Sequence, residues 1–361
     1  MSRSHPQASS LPIEVEIADV AFGGAGVGRV GGKAVFVPFT IPGENVRAHV
    51  RRNRTKYVEA DLDEVLVPSA DRVLPVCPVF GICGGCKYQH IAYERQLEIK
   101  RNQVAQVLRR LGKLTDPPVL EMVPSPQPLG YRNRITVHRD GGTTGFYDVT
   151  GRRLVDVERC PIASDKVNGM LSRLRQTRVE DGNYCLSEPT ATGGFHQTNT
   201  AAARRLLEIV ESLCPDHGQR LIDAYCGSGF FSRRLVNRFD EVVGIEWSET
   251  SIAAARKKAA VNEKYVQGDV GAILGNVLAS GSSPGTMVIL DPPARGLDKP
   301  VVSALLDHAP QRILYVSCDP STLARDLSRL SEKYHVDSAT PLDMFPQTAE
   351  IEVVTALSVK E

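Results

Sequence analysis

The fold of the chain is decided by residues 221–231, which read Leu221-Ile222-Asp223-Ala224-Tyr225-Cys226-Gly227-Ser228-Gly229-Phe230-Phe231. An apolar run leads into a turn with two glycines, which is typical of a buried strand followed by a loop and a helix. Glycines in such a loop let a ligand approach the backbone closely. Three further apolar runs follow at 242–246, 287–291 and 313–316, with helical segments between them. This alternation predicts a doubly wound, Rossmann-like α/β domain, whose ligands bind beyond the carboxyl ends of its strands.

Acidic side chains end two of these strands. Glu246 comes 23 residues after Asp223, at a position where an acid can bind ribose hydroxyls. Ser232 occupies the place of the third glycine or alanine of the dinucleotide fingerprint. The pattern therefore favours S-adenosylmethionine over NAD, because no pyrophosphate has to be held. Asp291 ends another strand, and the two prolines that follow, Pro292 and Pro293, fix the loop so that the Asp291 carboxylate faces the cleft. The alternative interpretation is that Pro292-Pro293 only form a rigid turn.

Cys318 lies just past the last of these strands, within Ser317-Cys318-Asp319-Pro320. A cysteine at this edge can act as a nucleophile. The alternative is a buried cysteine that packs as a small hydrophobe. Because Ser, Asp and Pro suit an exposed turn better than a core, the flanking residues favour the nucleophile.

The composition is that of a globular chain of two or three domains, with 361 residues, 42% hydrophobic and 24% charged. A net charge of +1 means that any nucleic-acid surface must be local. Residues 1–10 are polar and no apolar stretch approaches a membrane span, so we expect a cytoplasmic protein without a secretory signal. Eight cysteines in such a chain favour metal binding or catalysis over disulfides.

Residues 11–68 follow a disordered tail, 1–10, and predict a small barrel of the oligonucleotide-binding type. Apolar and polar positions alternate in them, and glycine pairs punctuate the pattern. The stretch 47–56 carries five cations, with Tyr57 adjacent. It predicts either an RNA-facing edge or an edge strand that charge protects from aggregation, and both interpretations stay open.

Residues 69–190 predict a central α+β domain with a cysteine-rich loop. Cys77, Cys83 and Cys86 share this loop, and Cys160 lies far downstream, followed by Pro161. Four thiolates suit a 4Fe–4S cluster or a structural zinc. Zinc sites usually use two short cysteine pairs, so this spacing favours the cluster, with zinc as the alternative.

A helix is predicted over 93–111, with Leu97, Val104 and Leu108 on its apolar face and Gly112 as its stop. We expect it to pack on the catalytic domain. Its other face is predicted to be basic, with Arg95, Lys100, Arg101, Arg109 and Arg110.

Two shorter motifs, Phe195-His196-Gln197-Thr198-Asn199 and 343–352, would be structural if taken in isolation. With the cysteine pattern, the glycine loop, Asp291-Pro292-Pro293 and the Cys318 segment, they make the chain similar to the RNA uracil-5-methyltransferases. The resemblance covers nearly the whole chain, and is strongest to the iron–sulfur, ribosomal-RNA-type members. It implies an N-terminal TRAM barrel, a cluster-bearing central domain and an S-adenosylmethionine-dependent methyltransferase domain over 191–361.

The resemblance also implies roles for individual residues. Cys318 corresponds to the family's nucleophile and Glu352 to its proton-abstracting base. Substrate RNA would be contacted by Phe195, which could stack on a flipped base, and by Arg132 and Arg134. The methyl donor site would be lined by Gln197, Tyr225, Gly227, Gly229, Phe230, Glu246, Asp269 and Asp291. The chain departs from the family pattern at three places: Glu350 replaces a histidine, Phe230 replaces a smaller polar residue, and Ala294 is inserted after Asp-Pro-Pro.

Uracil carbon-5 is too weak a nucleophile to attack a methyl sulfonium, so a thiolate must first add to carbon-6. A base must afterwards remove the carbon-5 proton. We expect the helix that begins near Thr322, or Arg325, to lower the pKa of Cys318. The predicted enzyme is a monomer that methylates a uridine of RNA, with ribosomal RNA favoured and transfer RNA as the alternative.

Three rival functions are weighed against this one. Cytosine-5 methylation would require a second cysteine beside Asp291-Pro292-Pro293, and an amino-methyltransferase would require an aromatic residue at Ala294. An RNA-binding or iron–sulfur protein without catalysis would not need Cys318 and Glu352 beside a complete cofactor loop.

Overall fold

The structure is a computed structural model that describes residues 12–189, 197–281 and 285–360. Its N-terminal strands form a closed barrel in the order β1-β2-β3-β5-β4. Alternate side chains fill the barrel, among them Val15, Val35 and Val46, which are buried. The strands are β1 (Ile13–Val20), β2 (Ala25–Val30), β3 (Lys33–Pro38), β4 (Asn45–Asn53) and β5 (Tyr57–Val67). The predicted barrel is confirmed.

Strand β4 pairs with β1 through residues 45–48 and with β5 along 45–53. Residues 49–53 therefore pair with β5 alone among the described strands, so the RNA-facing edge and the charge-protected edge both stay predictions for this stretch. Arg47 lies 2.5 Å from Glu64, and Arg52 lies 3.2 Å from Glu59, so β5 neutralises much of the charge. Arg54 and Lys56 lie exposed beyond the end of β4, and no carboxylate of the described residues forms an ion pair with them.

Helix α1 (Tyr93–Arg110) connects the barrel to the C-terminal domain. Val104 and Leu108 are buried in the C-terminal core, as the apolar spacing predicts. Gln103 donates hydrogen bonds to the carbonyl oxygens of Val20 and Ala21 in the barrel. The assignment of Lys100 to an exposed basic face is wrong: its ammonium is fully buried and lies 2.6 Å from the buried Asp343.

The central segment forms a sheet in the order β8-β7-β6-β9. Its strands are β6 (Arg134–Asp140), β7 (Thr143–Tyr147), β8 (Leu154–Asp156) and β9 (Gly182–Ser187). Helix α2 (Asp165–Gln176) packs Val167 and Leu171 on this sheet, and the side chain of Ser164 caps it. Helix α2 was not predicted, although a serine cap followed by apolar residues at 167, 171 and 174 is a helix signal.

The C-terminal domain is a sheet in the order β12-β11-β10-β13-β14-β16-β15, with helices on both faces. The strands β10 to β14 run parallel, while β16 is antiparallel to its neighbours. Its strands are β10 (Gly218–Ala224), β11 (Phe239–Glu246), β12 (Glu263–Gln267), β13 (Thr286–Leu290), β14 (Arg312–Ser317), β15 (Tyr334–Leu342) and β16 (Glu352–Val359). Its helices are α3 (Thr200–Leu213), α4 (Ser232–Leu235), α5 (Glu249–Arg256), α6 (Val270–Ala279), α7 (Lys299–His308) and α8 (Pro320–Leu330), with a 3-10 turn at Val236–Arg238. The predicted doubly wound α/β domain is confirmed.

The search for membrane-spanning helices gives a negative result for residues 12–189, 197–281 and 285–360, where every helix is too short or too polar to cross a bilayer.

Candidate active site

Cys318 and Glu352 are brought together by the pairing of β14 with β16. In this antiparallel pair Ser317 lies opposite Val353. The next position along the two strands therefore places Cys318 opposite Glu352. Residues that are directly opposite in such a pair have Cα atoms about 4.5–5.5 Å apart. Cys318 is exposed, whereas Glu352 is buried. A thiol that a substrate can reach therefore lies beside a carboxyl that water hardly reaches.

The surroundings of these two groups are acidic. Burial, with the nearby Asp291 and Glu350 carboxylates, raises the pKa of Glu352 well above its usual range. Burial, followed by the charges of Glu352 and Asp291, raises the pKa of Cys318 to about 11. Burial and the charge of Asp223 raise the pKa of Asp291 to about 7. These surroundings therefore favour the protonated thiol of Cys318 at neutral pH, and they increase the proton affinity of the Glu352 carboxylate.

The expectation that a helix end or Arg325 lowers the pKa of Cys318 is wrong. Helix α8 begins at Pro320, and the Asp319 carboxylate already accepts hydrogen bonds from the amides of Ser321 and Thr322. The amides of the first turn of α8 are therefore already paired with the Asp319 carboxylate and not with the Cys318 sulfur. Arg325 is also engaged, because its Nε lies 2.9 Å from Asp326 and its Nη2 donates to the carbonyl oxygen of Arg295.

Asp326 is a structural residue of the site that the sequence did not reveal. It is fully buried, and it accepts hydrogen bonds from the Tyr315 hydroxyl at 3.0 Å and from the Leu297 amide at 2.8 Å. It thereby fixes the end of the Asp-Pro-Pro loop against α8. The signal for it was present, since Asp326 stands among the apolar positions Leu323, Leu327 and Leu330 of one helix face.

The glycine loop after β10 has a backbone conformation that lets a ligand approach it closely. Tyr225, directly after β10, has a φ of 67°, which is unusual for a residue with a side chain. Gly229 has a φ of 84°, and a Cβ there would lie 2.5 Å from the Tyr265 hydroxyl oxygen, so only glycine fits. Glu246 accepts hydrogen bonds from the amides of Gly227 and Ser248. The carboxylate at the end of β11 is thus tied to the loop at the end of β10.

Other residues assigned to the donor site lie at the same or neighbouring edges. Asp269 follows β12 and caps helix α6 through the Ala272 amide. The ring of Phe230 packs edge-on against the buried Phe231, with 4.9 Å between centroids. The Gln197 carbonyl oxygen accepts a hydrogen bond from the side chain of Asn133. Phe195, assigned to RNA binding, lies outside the described residues.

The segment that leads into Glu352 is braced by the rest of the chain. The amides of Lys87 and Tyr88, next to Cys86, both donate to the carbonyl oxygen of Gln347 at 2.9 and 3.0 Å. The side chain of Gln96 in α1 donates to the side-chain oxygen of Gln347, and the Tyr131 hydroxyl donates to the Pro346 carbonyl oxygen. The position of the base therefore depends on the central segment as well as on its own sheet.

Arg132, assigned to RNA binding, reaches this segment. Its Nη2 lies 3.6 Å from the Glu350 carboxylate, and its guanidinium covers the ring of Phe345. Its backbone amide donates to Ile162, two residues after Cys160. Arg134, assigned to RNA as well, is the first residue of β6.

The four predicted cysteines line one pocket of the central segment. Cys77, Cys83, Cys86 and Cys160 share it with apolar side chains that include Phe80, Ile135 and Phe146. Arg132 and Gln89 also line it: the buried Nε of Arg132 has no hydrogen-bond partner among the described atoms, while the side chain of Gln89 interacts with the Cys86 thiol. Burial raises the pKa of Cys86 to about 12. An unpaired N–H of a cation beside thiols fits an occupant that carries negative charge on sulfur.

Within the described residues, no group of three or more His, Cys, Asp or Glu side chains is arranged to hold a single metal ion. A tetrahedral zinc with Zn–S bonds of about 2.3 Å would require its sulfurs to lie very close together. In an iron–sulfur cluster each cysteine ligates a separate iron, so the sulfurs can stand further apart. Cysteine sulfur is a ligand of both zinc and iron–sulfur clusters, so the donor set by itself suits either occupant.

Comparisons with known proteins match the chain at both ends. Residues 175–267 and 282–360 match the tRNA (uracil-5-)-methyltransferase family, and residues 12–62 match the TRAM domain. The chain is 32% identical to the tRNA (uracil(54)-C(5))-methyltransferase of Schizosaccharomyces pombe, over 96% of this chain and 78% of that protein. It is 30% identical to an uncharacterised RNA methyltransferase of Thermosynechococcus vestitus, over 96% of this chain and 98% of that protein. The chain belongs to the RNA uracil-5-methyltransferase family.

The fold of this uracil-5-methyltransferase is shared by a crystal structure, that of the Pyrococcus abyssi tRNA (uracil-54, C5)-methyltransferase in complex with S-adenosyl-L-homocysteine. The TM-score is 0.72 at 24% identity, over 96% of this chain and 100% of that chain. The match to the family in sequence contains both Cys318 and Glu352. The resemblance predicted from motifs is confirmed at the level of the family and of the TRAM domain.

Proposed function

We propose that this methyltransferase uses Cys318 as the nucleophile and Glu352 as the base in methylating carbon-5 of a uridine in large-subunit ribosomal RNA. The observation that carries this proposal is the register of β14 and β16, which sets an exposed thiol opposite a buried carboxyl. Uracil-5 methylation requires one group of each kind, and few other reactions require both at the end of a strand.

The methyl donor, S-adenosylmethionine, would be held by the edge formed by Tyr225, Gly227, Gly229, Glu246, Asp269 and Asp291, with Gln197 and Phe230 at its margin. The strained loop after β10 and the carboxylate at the end of β11 fit such a ligand. This donor supplies an electrophilic methyl group. Asp291 lies between the loop and the catalytic pair in the sheet, because β13 separates β10 from β14.

The first step is the addition of the Cys318 sulfur to carbon-6 of the uracil. The sulfur–carbon bond forms, the carbon-5–carbon-6 double bond breaks, and its electrons make carbon-5 nucleophilic. The exposed thiol must first lose its proton to solvent, which the acidic surroundings of the free protein oppose. A cationic group in the donor pocket would reverse this effect, since a nearby positive charge lowers the pKa of a thiol.

Glu352 then completes the reaction. After carbon-5 has been methylated, the carboxylate accepts the remaining carbon-5 proton, the double bond re-forms, and the Cys318 sulfur leaves carbon-6. A base with a raised pKa is suited to this step, because proton affinity must be high to remove a proton from carbon. The raised pKa of Glu352 supports this assignment.

We further propose that the cysteine pocket holds a 4Fe–4S cluster through Cys77, Cys83, Cys86 and Cys160. The four thiols, the apolar lining and the unpaired Nε of Arg132 support this occupant. Methylation of uracil transfers no electron, so the cluster would be structural or would position RNA. Its nearest link to the catalytic edge is the pair of hydrogen bonds from Lys87 and Tyr88 to Gln347.

RNA would contact Phe195, Arg132 and Arg134, with Phe195 stacking on a base flipped out of its helix. Ribosomal RNA is favoured by the four-cysteine pattern. Transfer RNA is the second candidate, because the relatives from Schizosaccharomyces pombe and Pyrococcus abyssi are named for uridine 54 of transfer RNA. Mapping of 5-methyluridine in both RNA classes from cells with and without the protein would separate the two candidates.

The catalytic assignment is tested with Glu352→Gln. Thiol addition and methyl transfer do not need the base, so this variant should accumulate a covalent protein–RNA adduct that survives denaturing electrophoresis. Cys318→Ala should form none. If Glu350→Gln traps the adduct and Glu352→Gln turns over normally, the base is Glu350 and the assignment is wrong.

A further inference from the structure

Glu350 lies two positions before the base in the chain, directly ahead of β16. Ile351 between them is fully buried in the core. Cα atoms two positions apart can be separated by at most about 7 Å, whatever the backbone conformation. The side chain of Glu350 is 58% exposed, whereas Glu352 is buried.

Arg132 faces Glu350 from the central segment. Its Nη2 lies 3.6 Å from the Glu350 carboxylate, and its position is fixed by backbone hydrogen bonds to Ile162 and Ser164 and by contact with Phe345. The remaining charged or titratable groups that act on Glu352 are Asp291 and Cys318. The base thus has one exposed anionic neighbour, and that neighbour has a cation beside it.

We propose that Glu350 and Arg132 form a charge pair that sets the proton affinity of Glu352, with Glu350 increasing it and Arg132 limiting the increase. Both are positioning residues, since neither touches the reacting atoms. The inference rests on the proposed function of Glu352 as the base. The electrostatic direction is supported by the contribution of Glu350 to the raised pKa of Glu352.

The sign of each effect follows from Coulomb's law. A carboxylate beside Glu352 favours its protonated form, so removal of the Glu350 charge lowers the pH at which Glu352 ionises. Removal of the Arg132 charge has the opposite effect, because the charge of Glu350 is then no longer offset. For unit charges about 7 Å apart near a protein surface, the shift caused by the Glu350 charge is at most about 1.7 pH units, and solvent around this exposed group screens it further.

The titration can be followed in the RNA-free protein by infrared spectroscopy. Subtraction of the spectrum of Glu352→Gln isolates the carbonyl band of the protonated Glu352 carboxyl from those of Asp223 and Asp291. We expect the midpoint of this band to fall in Glu350→Gln, to rise in Arg132→Met, and to stay near the wild-type value in Arg132→Lys.

Glu208→Gln is the matched control, since Glu208 is 53% exposed and pairs with Arg205 at 2.8 Å on helix α3. It should leave the midpoint of Glu352 unchanged. A midpoint in Glu350→Gln that equals the wild-type value, or a fall in Arg132→Met, would overturn the proposal. A purely structural ion pair would change the unfolding temperature of both variants without moving the midpoint in opposite directions.

The consequence for catalysis is measured as the decay of the protein–RNA adduct after methyl transfer. In Glu350→Gln the base ionises at lower pH but is weaker, so its rate profile should cross that of the wild type. Decay should be faster at acidic pH and about threefold slower at alkaline pH. If the infrared shifts appear but the wild type forms no adduct with any RNA, the proposed function is wrong, while the effect of Glu350 and Arg132 on the proton affinity of Glu352 is still supported.

Discussion

The two sets of thiols in this chain lie in opposite surroundings. Cys318 is exposed at the end of β14, and carboxylates surround it. Cys77, Cys83, Cys86 and Cys160 line an apolar pocket whose polar neighbours are the donors Arg132 and Gln89. An anionic neighbourhood keeps a thiol protonated until a cation arrives, while donors and apolar walls stabilise sulfur that already carries negative charge in a cluster.

The proposed nucleophile and the proposed ligands therefore differ in their surroundings as well as in their spacing. A nucleophile must be reached by the substrate and must be released at the end of each turnover. A ligand must be shielded from solvent and held permanently. The same atom type can serve both purposes in one chain because the folds around it differ: a parallel strand end in one case, and a loop packed on β6 and β7 in the other.

The largest effect is expected for Cys318→Ala. Methylation and adduct formation should both be abolished, because no other thiol stands at the strand end, while RNA binding should change by less than about twofold since the thiol contributes little contact area. Cys185→Ala, which removes another exposed cysteine, on β9, should turn over normally. A methyl-transfer assay with labelled donor measures the rate. Methylation by Cys318→Ala at the wild-type rate would show that Cys318 is not the nucleophile.

Cys86→Ala tests the other set. After anaerobic reconstitution, the wild-type protein should bind about four irons with matching sulfide, and this variant should bind fewer because one ligand is missing. Iron content and absorption spectra measure the effect. Cys214→Ala is the control, as Cys214 is buried in the core of the C-terminal domain. Zinc in place of iron in the wild type would contradict the cluster and leave the pocket as a zinc site.

Lys100→Met tests whether α1 holds the base-bearing segment. It leaves the Asp343 carboxylate buried without its cation, so the free energy of unfolding of the C-terminal domain should fall by about 3–5 kcal/mol. Urea denaturation followed by circular dichroism gives the value. Glu98→Gln, in the exposed Arg95–Glu98 pair of the same helix, should cost less than about 1 kcal/mol. An equal loss of unfolding free energy in the two variants would mean that the buried Lys100–Asp343 pair stabilises the C-terminal domain no more than an exposed pair does.

The smallest effect concerns the pH dependence of Cys318. Because its pKa is about 11 in the free protein, the rate of its alkylation by iodoacetamide should rise about tenfold per pH unit between pH 7 and 10. Removal of the neighbouring charge in Glu352→Gln should lower this pKa and speed alkylation at pH 9. Mass spectrometry of the Cys318 peptide measures both rates. A rate that is already constant above pH 8 would show that the carboxylates do not control the thiol.

The sequence predicted those parts of the molecule in which local chemistry and fold agree. Apolar runs gave the parallel strands, and glycine turns with alternating residues gave the barrel, because each pattern is tied to one backbone geometry. The family motifs predicted the fold and family, whereas the roles of individual residues remain proposals.

The rest depended on contacts between segments far apart in the chain. Lys100 looked like a surface cation because its burial depends on Asp343, which lies 243 positions away. Arg325 looked available to Cys318 because its partner, Asp326, is the next residue and the sequence does not show which way that carboxylate points. Helix α2 was missed because its signal is short beside the strands that surround it.

The register of β14 and β16 has a consequence for how the enzyme becomes active. The sulfur and the carboxyl are set opposite each other by strand pairing, so the two groups meet once the sheet has formed and the segment before β16 is held in place. Loss of the pair on heating should therefore coincide with melting of β16, and variants that stabilise this edge of the sheet should extend the lifetime of activity by the same amount.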